Sequence, residues 1–197
     1  MQSTHTGETV ISRHKAIKYY RMARYMANLF SKDPSTKVGA WFLAPKSFEV
    51  LATGYNGMPR GIDDTRPERW VRPIKYKYVE HAERNGMFNA NRRGVALEGA
   101  IAVVCLYPCA DCARGIIQAG IQAVVTMLPA LDDNRWDESF AVSKELLEEA
   151  GIVVILLTED EVQETFFTAP APAAFLLAPG WRASAVRAVA KFLKVTV

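Results

Sequence analysis

Three short apolar runs, residues 100–106, 123–128 and 153–157, divide the second half of the chain, with stretches of helical period between them. Runs of this length read as strands, the first apolar throughout and so buried on both faces, the second another buried strand. Strands alternating with helices pair in parallel, which puts a βαβαβ layer here with helices packed against its faces. The connecting helices fall at residues 109–119 and 136–150, ended by Gly120 and Gly151.

The first half adds a helix and a hairpin. Residues 12–31 read as a helix with Ser12 as its cap and Tyr19, Met22, Met26 and Leu29 as its apolar face. Asp33-Pro34 breaks it. Residues 38–44 and 50–55 read as two strands joined by the turn Pro45-Lys46-Ser47. An irregular loop runs to about Lys77, long enough to imply a function or disorder. Residues 81–92 read as a helix ended by Gly94. The expected fold is α/β: three-layer α/β/α with a mixed five-stranded sheet.

The 197 residues suffice for one domain with a sizeable core, expected over 1–164, and an appendage over 165–197. Residues 168–180 are rich in Ala and Pro and read as a linker. Residues 181–194 read as a basic amphipathic helix, a solvated or subunit-packing tail in preference to a membrane-surface one. From residue 165 onward there are four basic residues and no acidic ones; setting these aside from the net +3 leaves the body at −1. A slightly acidic body argues against a nucleic-acid partner, which needs a basic face. No apolar run is long enough to span a bilayer, and residues 1–13 are too polar for a secretory signal, so a cytoplasmic protein with no membrane partner is expected.

Cysteines occur only at 105, 109 and 112, an odd count with one close pair, which points to a reduced protein with a metal or redox site. Cys109 and Cys112 open the helix after the 100–106 strand, where free N–H groups and the helix dipole lower a thiol pKa. His81 opens the preceding helix. With the two helix starts side by side, His81, Cys109 and Cys112 form a three-ligand Zn²⁺ set whose fourth position is left for water, the catalytic pattern. Glu83 follows the histidine by two, near the metal without binding it, where a carboxylate can move a proton from water to a leaving group. A thioredoxin-like redox pair would need the rest of that fold, and a structural zinc would need a fourth ligand. Cys105, inside a strand, reads as core; His5 and His14 lie at the flexible start.

His81-Ala82-Glu83 followed by Pro108-Cys109-Ala110-Asp111-Cys112 is the signature of zinc-dependent nucleobase deaminases. Around these residues the chain resembles the deoxycytidylate (dCMP) deaminases of the cytidine deaminase-like superfamily. The resemblance extends to Ser31-Lys32-Asp33-Pro34 with Val38-Gly39-Ala40, to Gly54-Tyr55-Asn56-Gly57-Met58-Pro59-Arg60-Gly61, and to Tyr78-Val79-Glu80 before the histidine. Tyr107 before the proline and Ile116-Ile117-Gln118-Ala119-Gly120-Ile121 complete it, over about residues 12–157. It implies one catalytic zinc per subunit and hydrolysis of dCMP to dUMP for thymidylate synthesis, hydroxide attacking C4, N3 being protonated and ammonia leaving. It also implies a homo-oligomer, usually a hexamer, activated by dCTP and inhibited by dTTP with Mg²⁺ accompanying the nucleotide.

Asn56, an amide before a glycine, is the candidate for the sugar hydroxyl and base edge. The backbones of Ala82 and Cys109 could bond the base. Ser31, Lys37, Arg60 and Arg114 are candidates for the phosphate. Tyr107 packs on the pyrimidine or in the core. Gly54, Tyr55, Asn56, Gly57 and Arg60 match the family's effector stretch. Arg84 and Gly86 depart from the Leu and Ala of many relatives, and a mid-helix glycine costs on the order of 1 kcal/mol against alanine, so close packing or a modified substrate must account for it. The 63–76 loop, with Arg66, Arg69, Trp70 and Arg72, reads as a lid, an effector clamp or an oligomer contact. No second zinc cluster is evident. The rival readings are a deaminase of dCTP, 5-modified dCMP, cytidine or adenosine in tRNA, and a catalytically silent zinc scaffold, which has no use for Glu83.

Overall fold

The computed structural model describes residues 10–127 and 137–163. The chain divides after Val162 into two compact units. The expected tail, and the expected strand and helix ends at Leu128 and Trp136, lie outside the described residues. Five strands, β1 (Gly39–Leu43), β2 (Val50–Tyr55), β3 (Ile101–Val104), β4 (Ala123–Met127) and β5 (Val153–Leu157), form one sheet in the order β2-β1-β3-β4-β5. β1 runs antiparallel to β2 and β3, and β3, β4 and β5 are parallel. This is the mixed five-stranded sheet that the sequence pattern requires.

Alternation along the strands divides the core in two. Phe42, Ala102, Val104 and Val124 pack against α3 (Ala82–Arg92), α4 (Ala110–Gln118) and α5 (Asp137–Glu149). Leu43, Ile101, Val103 and Val125 pack on the other side, with Ala16 and Tyr20 of α1 (Arg13–Phe30) and Val162 of α6 (Glu159–Gln163). Helices therefore cover both faces.

Three expectations are corrected. α1 buries Ala16, Tyr20, Ala23 and Ala27, while Met22 and Leu29 face outward. The reason is distance: a Cβ on Gly39 of β1 would lie 2.2 Å from the Ala23 carbonyl oxygen, so only a stripe of small residues lets the helix approach. Ser12 stands at the cap position but makes no side-chain capping bond. The long loop holds a 3₁₀ turn (Pro67–Trp70) and the short helix α2 (Lys75–Tyr78). α6 had no apolar period to announce it. It is held by α1, through Arg13 to Glu161, Arg24 to Glu159, and Arg21 to the backbone carbonyls of Glu161 and Val162.

Helix α3 lies against β2 with no space to spare. A Cβ on Gly54 would meet the Ala82 oxygen and the Gly86 nitrogen, each at 2.3 Å, and one on Gly86 would meet the Phe42 ring at 2.3 Å. Close packing thus accounts for Gly86. Gly86→Ala is expected to destabilise the protein by about 1–3 kcal/mol of overpacking, less about 1 kcal/mol of regained helix propensity. Thermal unfolding checks this: the loss should shrink in a Phe42→Leu background, where the ring that blocks the methyl is gone.

Candidate metal and substrate site

His81 and Cys109 occupy equivalent places. Each is the residue before the first turn of a helix, α3 and α4 respectively, with extended backbone and no side-chain capping bond. Their side chains are thereby released toward each other. Cys112 falls in the first turn of α4, on the same side as Cys109. His81 Nδ1 lies 3.5 Å from both sulfurs, and the three donor atoms are all within 4.8 Å of one another. Zinc bonds of about 2.0 Å to nitrogen and about 2.3 Å to sulfur at a tetrahedral angle separate the donors by roughly 3.5 Å, so this set fits the ion.

The donors compete for protons. The hydrogen bond from Cys112 holds the Cys109 thiol down to about 4 despite burial, with His81 assisting. Making that bond, and burial, raise Cys112. The bond to Cys109 pushes His81 up to about 9 against desolvation. A divalent cation displaces such shared protons. Glu83 is buried beside them. Burial pushes its carboxyl up, opposed by the charge of His81 and by hydrogen bonds to its own amide and to Cys112. The approach to His81 is fixed by backbone: Glu80 and Gly57 exchange two hydrogen bonds of 2.9 and 3.1 Å, and Arg84 pairs with the Glu80 carboxylate at 2.7 Å.

Asn56, at the end of β2, has every amide position engaged. Nδ2 donates to Asp33 Oδ2 at 3.0 Å and to the Thr36 carbonyl at 2.8 Å. Oδ1 accepts from the Val38 amide and the Ser31 hydroxyl, both at 2.8 Å. Ser31 Oγ also reaches the Asn56 carbonyl at 2.9 Å. One hydroxyl proton serves one acceptor at a time, so Oδ1 becomes available to a ligand donor when Ser31 turns to the carbonyl. A ligand reaches this amide only by such an exchange.

The remaining candidates scatter. Lys37 donates to the Asn28 carbonyl at 3.2 Å, Arg114 pairs with Asp111, and Arg60 bonds Asn89 on α3. Tyr107 is buried edge-on to Phe140, with ring centres 5.7 Å apart, on the α5 side. Ala82 is buried at the start of α3. Of the glycine-rich stretch, Gly54 is demanded by the packing of α3, Tyr55 stacks on Phe30 at 5.8 Å, and Gly57 carries the bridge to Glu80.

The roles of three residues went unread in the sequence. Ser139 of α5 accepts from the Ala110 amide at 3.0 Å and so caps the ligand-bearing helix. Asp33 and Lys75 form a buried ion pair of 2.6 Å. Burial would raise the Asp33 carboxyl, but Lys75 and the amides of Ser35 and Thr36 hold it below its usual value. Asp33 did carry a signal, since aspartate two and three residues before free amides is a turn former. Lys75 carried none.

The family model of the cytidine and deoxycytidylate deaminase zinc-binding region matches residues 13–128. The chain is 37% identical over 146 residues to an uncharacterised deaminase in the luxG 3′ region of Aliivibrio fischeri, covering 74% of this chain and 95% of that protein. It is 37% identical over 142 residues to the deoxycytidylate deaminase of Homo sapiens, covering 68% and 75%. In fold it is similar to the dCMP deaminase of cyanophage S-TIM5, crystallised with dCMP and dUMP, with a TM-score of 0.59 at 23% identity over 75% of this chain and 99% of that one.

Removal of any one donor leaves two, too few for a tight site. His81→Ala and Cys112→Ala are expected to lower bound zinc from about one ion per chain to below about a tenth. Elemental analysis after gel filtration, with circular dichroism as the check on folding, measures this.

Proposed function

The chain belongs to the cytidine and deoxycytidylate deaminase family, and from that premise we propose that it hydrolyses dCMP to dUMP and ammonia. The observation that carries the reading is a buried carboxylate, Glu83, set against a His-Cys-Cys donor set of zinc dimensions. The sequence match to named deoxycytidylate deaminases supports dCMP over other cytosine nucleotides. Gly86 lends no weight to a 5-substituted base, because the space beside it is filled by Phe42.

His81, Cys109 and Cys112 would hold the zinc. Bound there, zinc supplies a Lewis acid that makes water a nucleophile near neutral pH. Glu83 takes one proton from the attacking water and delivers it to N3, then carries the second, from the hydroxyl formed at C4, to the amine, so that the C4–N bond breaks, C4 becomes a carbonyl and ammonia leaves. Its burial suits this work, since a carboxyl pushed up by desolvation binds and releases a proton closer to neutral pH. Asn56 and Ser31 receive the sugar by the exchange described above, and the backbones at Ala82 and Cys109 meet the base. Tyr107 takes the core role, edge-on to Phe140, and Lys37, Arg60 and Arg114 are surface cations available to the phosphate. The stretch from Gly54 to Arg60 answers dCTP and dTTP with Mg²⁺. Residues 1–164 are the catalytic domain and 165–197 an appendage. The outward stripe of Met22, Tyr25, Leu29 and Phe30 supports a homo-oligomer, since an apolar patch of this kind is usually covered. Among the described residues no helix is long and apolar enough to cross a membrane.

The test is ammonia release from dCMP, dCTP, cytidine, 5-methyl-dCMP and short single-stranded DNA in parallel, with and without dCTP or dTTP as effector. Fastest turnover of dCMP is expected, and preference for another member overturns the substrate. Glu83→Ala should keep its zinc and lose at least about 100-fold in kcat; full activity in that variant would sink the proton-transfer role. A chain ending at Glu164 should keep its kcat and its sedimentation coefficient relative to mass. Dissociation on truncation would show that the tail builds the oligomer.

A further inference from the structure

Asp33 is fully buried, and Lys75, at 5% exposure, is the one buried lysine among the described residues. A buried ammonium stays charged only beside such a partner. Asp33 divides its oxygens between two tasks. Oδ1 accepts from the Ser35 amide at 2.9 Å, the Ser35 hydroxyl at 3.0 Å and the Thr36 amide at 3.1 Å, which closes the turn after Pro34. Oδ2 faces Lys75 at 2.6 Å and Asn56 Nδ2 at 3.0 Å. Lys75 also donates to Ser35 Oγ at 2.8 Å.

This arrangement decides which way the Asn56 amide points. With Nδ2 directed at a carboxylate, Oδ1 is the atom left on the Ser31 side, so the site offers an acceptor and selects a ligand hydroxyl that donates. Lys75 also lies in α2, a few residues before Glu80, whose backbone pairs with Gly57 next to Asn56 and which leads into His81. One ammonium therefore ties together the end of β2, the 31–38 turn and the segment that enters α3. Its contacts, and those of Asp33, run to Ser31, Ser35, Thr36 and Asn56 rather than to the metal donors or Glu83.

We propose that Lys75 is a positioning residue for substrate binding, fixing through Asp33 the orientation of Asn56 so that its Oδ1 receives the sugar hydroxyl of the nucleotide. The proposal rests on the nucleotide-deaminase reading and assigns Lys75 to binding, not to the chemical step.

In the zinc-loaded full chain, Lys75→Met should raise KM for dCMP about tenfold, the worth of a hydrogen bond to a charged or oriented group, with kcat within about twofold and zinc unchanged. Because that variant buries an unpaired carboxylate, Asp33→Asn/Lys75→Met is measured beside it. Removing both charges restores thermal stability, but an amide at position 33 has one acceptor oxygen and cannot hold both the turn and Asn56, so KM stays raised. Hydrogen–deuterium exchange, read without turnover, should accelerate over residues 31–38 and 56–80 in Lys75→Met and stay unchanged over 110–118. An unchanged KM in Lys75→Met, a KM that returns with stability in the double variant, or unaltered exchange over 31–38 overturns the proposal. If the parent protein leaves dCMP untouched, the substrate reading fails separately, and the exchange measurement still decides the positioning claim.

Discussion

Helix α3 rests on β2 at a separation that excludes even a methyl group. Gly54 on the strand faces the backbone of Ala82 and Gly86 on the helix, and Gly86 in turn sits on the Phe42 ring. The height and rotation of α3 are set by this contact, and they carry His81 to within 3.5 Å of two sulfurs that arrive on a different helix from a different strand. A change of an ångström at the glycines would move the imidazole by as much, and a zinc–ligand bond tolerates a few tenths. The tight packing is therefore part of the metal centre.

A second constraint governs the polar groups. Glu83, Asp33, Lys75 and Asn56 are all buried, and each burial is answered differently. Asp33 and Lys75 neutralise one another, and Asn56 is satisfied on all four sides. Glu83 has only partial compensation, so desolvation prevails and its carboxyl is raised. That difference is what the proton-transfer role proposed for Glu83 draws on: a fully paired carboxylate stays ionised, whereas a partly paired one can change its proton.

The small-residue face of α1 follows the same logic as Gly54. Where the helix must lie close, at Ala23 and Ala27 over Gly39, small residues are the core, and Met22 and Leu29 turn outward. Reading periodicity from large side chains alone therefore missed the alanines: Met22 and Leu29 face outward, while Tyr19, packed on the core, and Met26 are half-buried, although the helix itself was found to within a residue at each end.

The sequence by itself determined the order of the five strands and the four longer helices, because buried runs and glycine stops are local signals, and it determined the donor set, because His-x-Glu and Pro-Cys-x-x-Cys are contiguous. The resemblance carried the substrate class for the same reason. It could not determine that Asn56 would be held by four partners, that Lys75 would be buried on Asp33, or that Ser139 would cap α4. These contacts join residues 18 to 42 positions apart, and a buried lysine looks no different in a sequence from a solvated one. Only the tertiary structure, by removing water from one and not the other, gives the same side chain two different meanings.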